Sequence, residues 1–288
     1  MASNLTTKST YSSNYERMSG NCTRLIAAEM VSTISPPLSS TSYILDNACG
    51  TGIVSEQIKK LQPDARIMAT DISVSMIDQI KSRIKSEGWV NVETDIQDVR
   101  SLSNLPDNTF THVITNMGLP VPGESGSGVI GAKEMYRILQ KDGVAVLSTW
   151  AGKSHRVWLS AFYNTARAIR PDAEPQTAMK LNPEILRGSW LLTALEEGGF
   201  GNNVELRPYV TYTSAPSLDD LIGNLMLAKG MFFGGYSDEE ILRVGLIFRE
   251  EVKRLRTFEV LESGVARIGM KAWIATGWKK GYEKEIPL

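Results

Sequence analysis

Two acidic residues, each closing a short strand-like run, are the groups in this chain best placed to do chemistry: Asp46 after Tyr43-Ile44-Leu45 and Asp71 after Arg66-Ile67-Met68-Ala69-Thr70. A carboxylate has only acceptors, so it can take hydrogen bonds from a pair of hydroxyls or an amino group and can balance a cation. Asp46 runs straight into a turn, Asn47-Ala48-Cys49-Gly50-Thr51-Gly52. Glycines there let the backbone turn sharply and approach a ligand without a Cβ in the way. Asp71 follows Gly52 by about 20 positions, the offset at which an acidic side chain meets a ribose in βαβ folds. Ser73 and Ser75 are nearer the next helix start, so a capping role does not require Asp71.

The turn is not built for phosphate. Gly-x-Gly-x-x-Gly is absent and so is the lysine of a P-loop, and Asp46 would repel a pyrophosphate. A ligand with positive charge suits it, and S-adenosylmethionine has an ammonium, a sulfonium and no phosphate. The elements that position these residues read as a parallel α/β sheet. Runs at Tyr43–Leu45, Arg66–Asp71, Val90–Glu93, Phe110–Thr115 and Val144–Thr149 are strand-like. Val54, Ile58 and Leu61, then Met76, Ile77, Ile80 and Ile84, then Met135, Ile138 and Leu139, fall at helical spacing between them. Ahead of the first strand, Ile26, Ala27, Met30, Val31 and Ile34 form one stripe, ended by Pro36-Pro37. Asn116 and Met117 follow the fourth strand at its carboxyl end, where ligands sit in open α/β sheets.

The charges balance, 31 Lys and Arg against 32 Asp and Glu, which disfavours a nucleic-acid partner. No apolar run is long enough to span a bilayer, the Ser/Thr-rich start lacks the core of a secretory signal, and Cys22 and Cys49 make neither a disulfide framework nor a metal pattern. A cytoplasmic, metal-free protein that keeps its thiols free is expected. The sequence assigns no oligomeric state.

Asp46 to Gly52 resembles the first motif of the class I S-adenosylmethionine-dependent methyltransferases, with Ala48 where that family often has glycine. Arg137-Ile138-Leu139 and Asp142-Gly143 before the fifth strand resemble a further stretch of it. Tyr15-Glu16-Arg17-Met18, Leu45 to Gly52, Glu87-Gly88-Trp89-Val90-Asn91 and Ser148-Thr149-Trp150 together look like fungal secondary-metabolism methyltransferases, a group similar to the gliotoxin thiol methyltransferase. The resemblance implies a seven-stranded Rossmann-like sheet, mostly parallel with an antiparallel edge formed by Val204–Thr213 and Ala266–Gly277, carrying helical lid insertions. It implies one methyltransferase domain over 1–288, with N-terminal lid helices in 1–37, a cofactor half in 43–150 and cap insertions at 152–182 and 216–264.

The cofactor implied is S-adenosyl-L-methionine. Asp95 accepts from the adenine amino group and the Ile96 N–H meets a ring nitrogen, with Asp98 a competing candidate for the acidic role. Ile72 and Ile96 sandwich the adenine or simply pack in the core. Tyr15, Ala48, Cys49, Gly50, Gly52, Met76, Asn116 and Met117 complete the expected cofactor site beside Asp46 and Asp71. Tyr11, Met117, Trp150, Phe232 and Phe233 are the expected acceptor-side residues, and His155 is a candidate base. His112 reads as a packed strand residue. The activity expected is methyl transfer to a heteroatom of a small metabolite, oxygen before sulfur before nitrogen. The alternative is a methyltransferase fold that binds cofactor without transferring methyl, as a pericyclic catalyst or a regulatory protein.

Overall fold

A computed structural model describes residues 14, 16–19, 21–119, 126–152, 157–172 and 187–279. Its sheet runs through β1 (Tyr43–Asn47), β2 (Arg66–Asp71), β3 (Val92–Ile96), β4 (Phe110–Asn116), β5 (Leu139–Trp150), β6 (Val204–Ala215), β7 (Phe258–Val260) and β8 (Ala266–Trp278). The spatial order is β3-β2-β1-β4-β5-β8-β6, with β7 paired to β8. β1 pairs parallel to β2 and β4, β2 to β3, and β4 to β5, whereas β8 is antiparallel to β5. This is the expected mixed α/β sheet, with its carboxyl ends aligned on one side.

The helices are α1 (Cys22–Thr33), α2 (Ile53–Leu61), α3 (Val74–Ser86), α4 (Ser127–Ile138), α5 (Val157–Ile169), α6 (Gly188–Leu195), α7 (Leu218–Leu225), α8 (Lys229–Phe232) and α9 (Asp238–Lys253). Alternation along each strand sends side chains to opposite faces, and the core divides accordingly. Ile44, Ile67, Ile114, Val144, Val146 and Ile274 pack with Ile26, Met30, Ile58, Ile77 and Ile80 from α1, α2 and α3. Leu45, Val113, Ala145, Leu147 and Ala275 pack with Ala132, Met135, Leu191 and Leu195 from α4 and α6.

The chain divides into two compact units. The sheet unit comprises Ile26–Trp150, Leu181–Tyr209 and Ala272–Leu288. The helical unit comprises Met1–Leu25, Ala151–Lys180 and Val210–Lys271. Its core gathers Leu159, Phe162, Leu221, Leu225, Phe232, Phe233, Val244 and Phe248, with Ala266 and Ile268 from β8. α9 starts on a capping box, Ser237 accepting from the Glu240 N–H and Glu240 from the Ser237 N–H. In the same unit Thr211 donates to the Cys22 carbonyl at 2.8 Å and Thr213 to the Ser19 carbonyl at 3.0 Å, and Glu16 pairs with Arg24. No helix among the described residues is long and apolar enough to cross a membrane.

Some strand boundaries differ from expectation. β3 begins at Val92 instead of Val90, because Gly88 and Asn91 turn through left-handed conformations first (φ 66° and 57°). β5 begins at Leu139, ahead of the left-handed turn at Asp142 (φ 66°), and its pairing with β4 shifts register between Phe110 and His112. Within 216–264, helices α7, α8 and α9 are followed by Phe258–Val260, which pairs antiparallel with β8.

Candidate functional site

The turn after β1 closes by main-chain geometry. Ala48, Gly50 and Gly52 all take positive φ, 57°, 54° and 85°. The Cys49 N–H donates to Thr70 O at 2.8 Å and the Gly52 N–H to Cys49 O at 2.9 Å, so the loop is laced to β2 and to itself. Gly52 is irreplaceable on steric grounds as well: a Cβ there would lie 2.7 Å from Ile80 Cγ1 of α3. Ala48 bears a Cβ in the left-handed region, which costs on the order of 1 kcal/mol. Its methyl meets the loop after β4, since a Cβ on Gly118 would come within 2.5 Å of it.

Asp71 ends β2 half-buried, its Oδ2 accepting from the Gly50 N–H and its Oδ1 from the Ser73 N–H, both at 2.9 Å. Each oxygen keeps a lone pair, so the carboxylate spans the glycine turn and the start of α3 and can still accept from a ligand. Ile96 lies opposite Asp71 in the β2–β3 register. Ile72 is 64% exposed and Ile96 50%. Of the two expectations for these isoleucines, core packing does not fit; both are apolar surface at the carboxyl edge. Asp95 accepts from the Ile96 N–H at 2.8 Å and from Gln97 Nε2 at 2.6 Å. Each Asp95 oxygen keeps a lone pair, so it can still accept from a nucleobase, whereas the Ile96 N–H is already given to Asp95. Asp98 is engaged otherwise, in a two-pronged pair with Arg100 that holds its carboxyl below the usual carboxylate range.

Asp46 is the least expected. It is 1% exposed, and its Oδ2 accepts from the Ser55 N–H at 3.0 Å and Ser55 Oγ at 2.7 Å. Its Oδ1 is buried without a hydrogen-bond partner among the described residues. Burial pushes its pKa up to about 7, against the pull of the two Ser55 bonds. Cys49 beside it is buried, and burial, then Asp46 and Asp71, push its thiol well up, so it is an inert, neutral group.

At the end of β4, Asn116 and Met117 are fixed by Ser148 of β5. Ser148 Oγ donates to Asn116 Oδ1 at 2.8 Å and accepts from the Met117 N–H at 3.1 Å, which holds Met117 at φ 61°. Asn47 Nδ2 donates to Thr115 Oγ1 at 3.3 Å and Thr70 Oγ1 to Asn47 Oδ1 at 3.4 Å. A polar layer thus joins the ends of β1, β2, β4 and β5. Ser55, Ser148, Thr70 and Thr115 were not singled out from sequence. The available signal at Thr70 and Thr115 was a hydroxyl next to the last residue of an apolar strand.

Trp150 ends β5 half-buried against the core, and Met76 is half-buried in the first turn of α3. Phe232 and Phe233 correct an expectation: they are 6% and 3% exposed, and the Phe162 ring lies 4.3 Å from the first and 5.8 Å from the second. The helical unit uses these rings for its own core and leaves no face for an acceptor. His112 is buried as expected, with Nε2 donating to the Pro36 carbonyl at 3.0 Å and burial lowering its pKa. Tyr11, Tyr15 and His155 lie outside the described residues. Among the described residues no His, Cys, Asp and Glu cluster suits a metal.

The arrangement fits the sulfonium cofactor that the motif implies. A buried carboxylate oxygen lacks a partner, a left-handed turn leaves room that a Cβ would fill, and two exposed isoleucines flank the strand ends. Asp46, Asp71 and Asp95 lie at the carboxyl ends of three adjacent strands, with Gly50 and Gly52 in the turn after β1 and Ile72 and Ile96 exposed beside them, and these are the residues that could hold it.

A family described as a methyltransferase domain matches residues 44–143. The chain is 27% identical to methyltransferase ktnA of Aspergillus niger over 154 residues, 46% of this chain and 49% of that protein. It is 33% identical to the acetylaranotin bis-thiomethyltransferase of Aspergillus terreus over 112 residues, 37% of this chain and 35% of that protein. The chain thus spans half or less of the length of these curated relatives. The crystal structure of the YcgJ protein from Bacillus superposes with a TM-score of 0.52 at 15% identity, covering 89% of this chain and 98% of that one, a likeness of fold alone.

Proposed function

We propose that this chain, which carries a class I methyltransferase domain and its fold, transfers a methyl group from S-adenosylmethionine to a heteroatom of a small secondary-metabolite-type acceptor. The observation that carries the reading is the row of carboxylates Asp46, Asp71 and Asp95 on three adjacent strand ends around a left-handed glycine turn. That edge recognises a nucleoside and a cation and offers nothing to phosphate. The family match at 44–143 covers the same residues.

The cofactor supplies a methyl already activated by its positive sulfur. The protein therefore has mainly to align the nucleophile and exclude water, and orientation alone contributes about 7–11 kcal/mol in well-ordered systems. In this reading Asp71 takes the ribose hydroxyls, Asp95 and the Ile96 N–H the adenine edge, and Ile72 and Ile96 its faces. Asp46 Oδ1 takes the ammonium. Asn116 and Met117, clamped by Ser148, border the place where the acceptor enters. Oxygen is the first acceptor atom to test. Sulfur follows closely, supported by the thiomethyltransferase name of the Aspergillus terreus relative, because a thiol is partly ionised near neutrality and needs less help from a base. Nitrogen is third. His155 is the proposed base for a hydroxyl acceptor.

The test incubates the protein with S-adenosylmethionine and a panel of phenols, carboxylates, thiols and amines, and reads product masses. A gain of one methyl on one class, with stoichiometric S-adenosylhomocysteine, is the expected result. Binding of S-adenosylhomocysteine with no methylation across the panel would leave the acceptor reading without support. Preferential methylation of tRNA or protein would replace it.

A further inference from the structure

The helical unit holds a groove that the methyl-transfer reading does not use. It has a volume of about 390 Å³ and is lined by Val157 of α5, Val210 and Tyr212 of β6, residues 256–259 leading into β7, and residues 269–271 of β8. Clefts of about 300–1,000 Å³ suit small ligands; a folded partner needs a broader surface, about 800 Å² from each side.

Its charges are unbalanced. Elsewhere in this unit several cations sit on carboxylates, among them Arg24 on Glu16, Arg170 on Glu240, Arg249 on Asp219, Lys253 on Glu250 and Arg254 on Glu251. In the groove, Glu259 is taken by Arg267, at 2.7 Å, and the same guanidinium lies 4.0 Å over the Tyr212 ring. That leaves exposed Arg256 and Lys271, neither with a carboxylate partner among the described residues. Between them the floor is apolar, from Val157, Val210, Phe258 and Met270, and Val210 is 48% exposed. Gly269 leaves the floor open. A Cβ there would touch Thr257 and Tyr212 at 3.4 and 3.5 Å, ordinary contacts, so a side chain would occupy the groove without a clash.

We propose that this groove is a binding site for a small organic anion, a carboxylate or sulfonate on an apolar ring-sized body, held by Arg256 and Lys271 with its body on Val210, Tyr212 and Met270. A guanidinium presents paired donors that match two oxygens of such a group, and the lysine adds a point charge. The apolar floor discriminates against small inorganic anions, and the cations discriminate against neutral rings.

The probe is anilinonaphthalene sulfonate, an aryl sulfonate that fluoresces when its rings leave water, with uncharged phenylnaphthylamine as control. Titrations are run on the full chain with S-adenosylhomocysteine at saturation, so that the exposed isoleucines of the cofactor edge are covered. One saturable site is expected, bound at least about tenfold more tightly by the sulfonate than by the neutral dye. Arg256→Glu and Lys271→Glu each weaken it by about tenfold or more, and Gly269→Leu abolishes it with both charges intact. The exposed charge variants keep the test sound if Gly269→Leu fails to fold. Unchanged sulfonate affinity in the double charge variant, or equal binding of the two dyes, overturns the site. Calorimetry of S-adenosylhomocysteine in the same variants should be unchanged. Absence of that binding in the parent protein would instead count against the proposed function.

Discussion

The two ends of the parallel sheet treat their polar groups differently. At the amino ends, the polar groups of His112, Lys59 and Arg137 are held by protein partners. His112 is held by Thr111 and Pro36. Lys59 donates to the carbonyls of Pro63 and Ala65. Arg137 of α4 reaches the carbonyls of Leu102 and Leu105 together with Asp107 and Glu134. At the carboxyl ends, Asp46 keeps an orphaned oxygen, Ala48 and Met117 sit in left-handed conformations, and Ile72 and Ile96 face water. Strain, an unpaired polar atom and exposed apolar surface are each unfavourable in the free protein. Left-handed residues and exposed apolar side chains also occur at the amino ends, at Asn91, Asn108, Asp142 and Val90, so the contrast between the ends rests on the orphaned oxygen of Asp46.

Variants can break this contrast. The largest effect expected is on the pH dependence of stability through Asp46. Its folded pKa, about 7, lies above the ordinary 3.8. The folded state therefore binds the extra proton between these values, and the contribution of Asp46 to stability is fully present below about pH 4 and is lost as pH rises through 7. The full span is on the order of 4 kcal/mol at about 1.4 kcal/mol per pK unit. Asp46→Asn removes that slope. Denaturant melts of parent and variant from pH 4 to 8 should diverge in this direction, and parallel curves would show that the buried carboxyl does not titrate.

Arg137→Ala, at the opposite edge, should cost about 3 kcal/mol of stability through lost charge-assisted bonds and leave S-adenosylhomocysteine affinity within about twofold. A large affinity loss in a folded variant would erase the division between the ends. Asp71→Ala reverses the pattern. Cofactor affinity should fall by about 1.5–3 kcal/mol, and calorimetry showing unchanged affinity would remove Asp71 from the site. Ile96→Ser is the smallest: about 1 kcal/mol of affinity, from apolar area that an adenine would cover, with an unaltered melting temperature. A lowered melting temperature would make Ile96 a packing residue after all.

Much of the carboxyl edge was legible because its signals are local. Asp71 closes an apolar run at the right distance from a Gly-x-Gly turn, and the strand ends there in the structure. What the sequence withheld depends on residues far apart in the chain. Nothing around Asp46 says that Ser55 will take one of its oxygens and burial the other. Nothing around Met117 announces Ser148. Phe232 and Phe233 look like acceptor contacts until Phe162 packs against them. β3 slid by two residues because its mixed burial gives no alternation to read, and two left-handed residues precede it.

The position of β8 has a consequence for how the chain matures. It is the last described strand to be synthesised, yet it lies between β5 and β6, and it supplies Ala272, Ile274 and Trp278 to one core and Ala275 to the other. Until it leaves the ribosome, β5 has an open edge and β6 lacks the neighbour that ties it to the sheet. Open edges template association with other chains. The nascent protein therefore passes through a window, closing only with β8, in which a chaperone has two unpaired strands to shield, although the whole cofactor edge has already been translated.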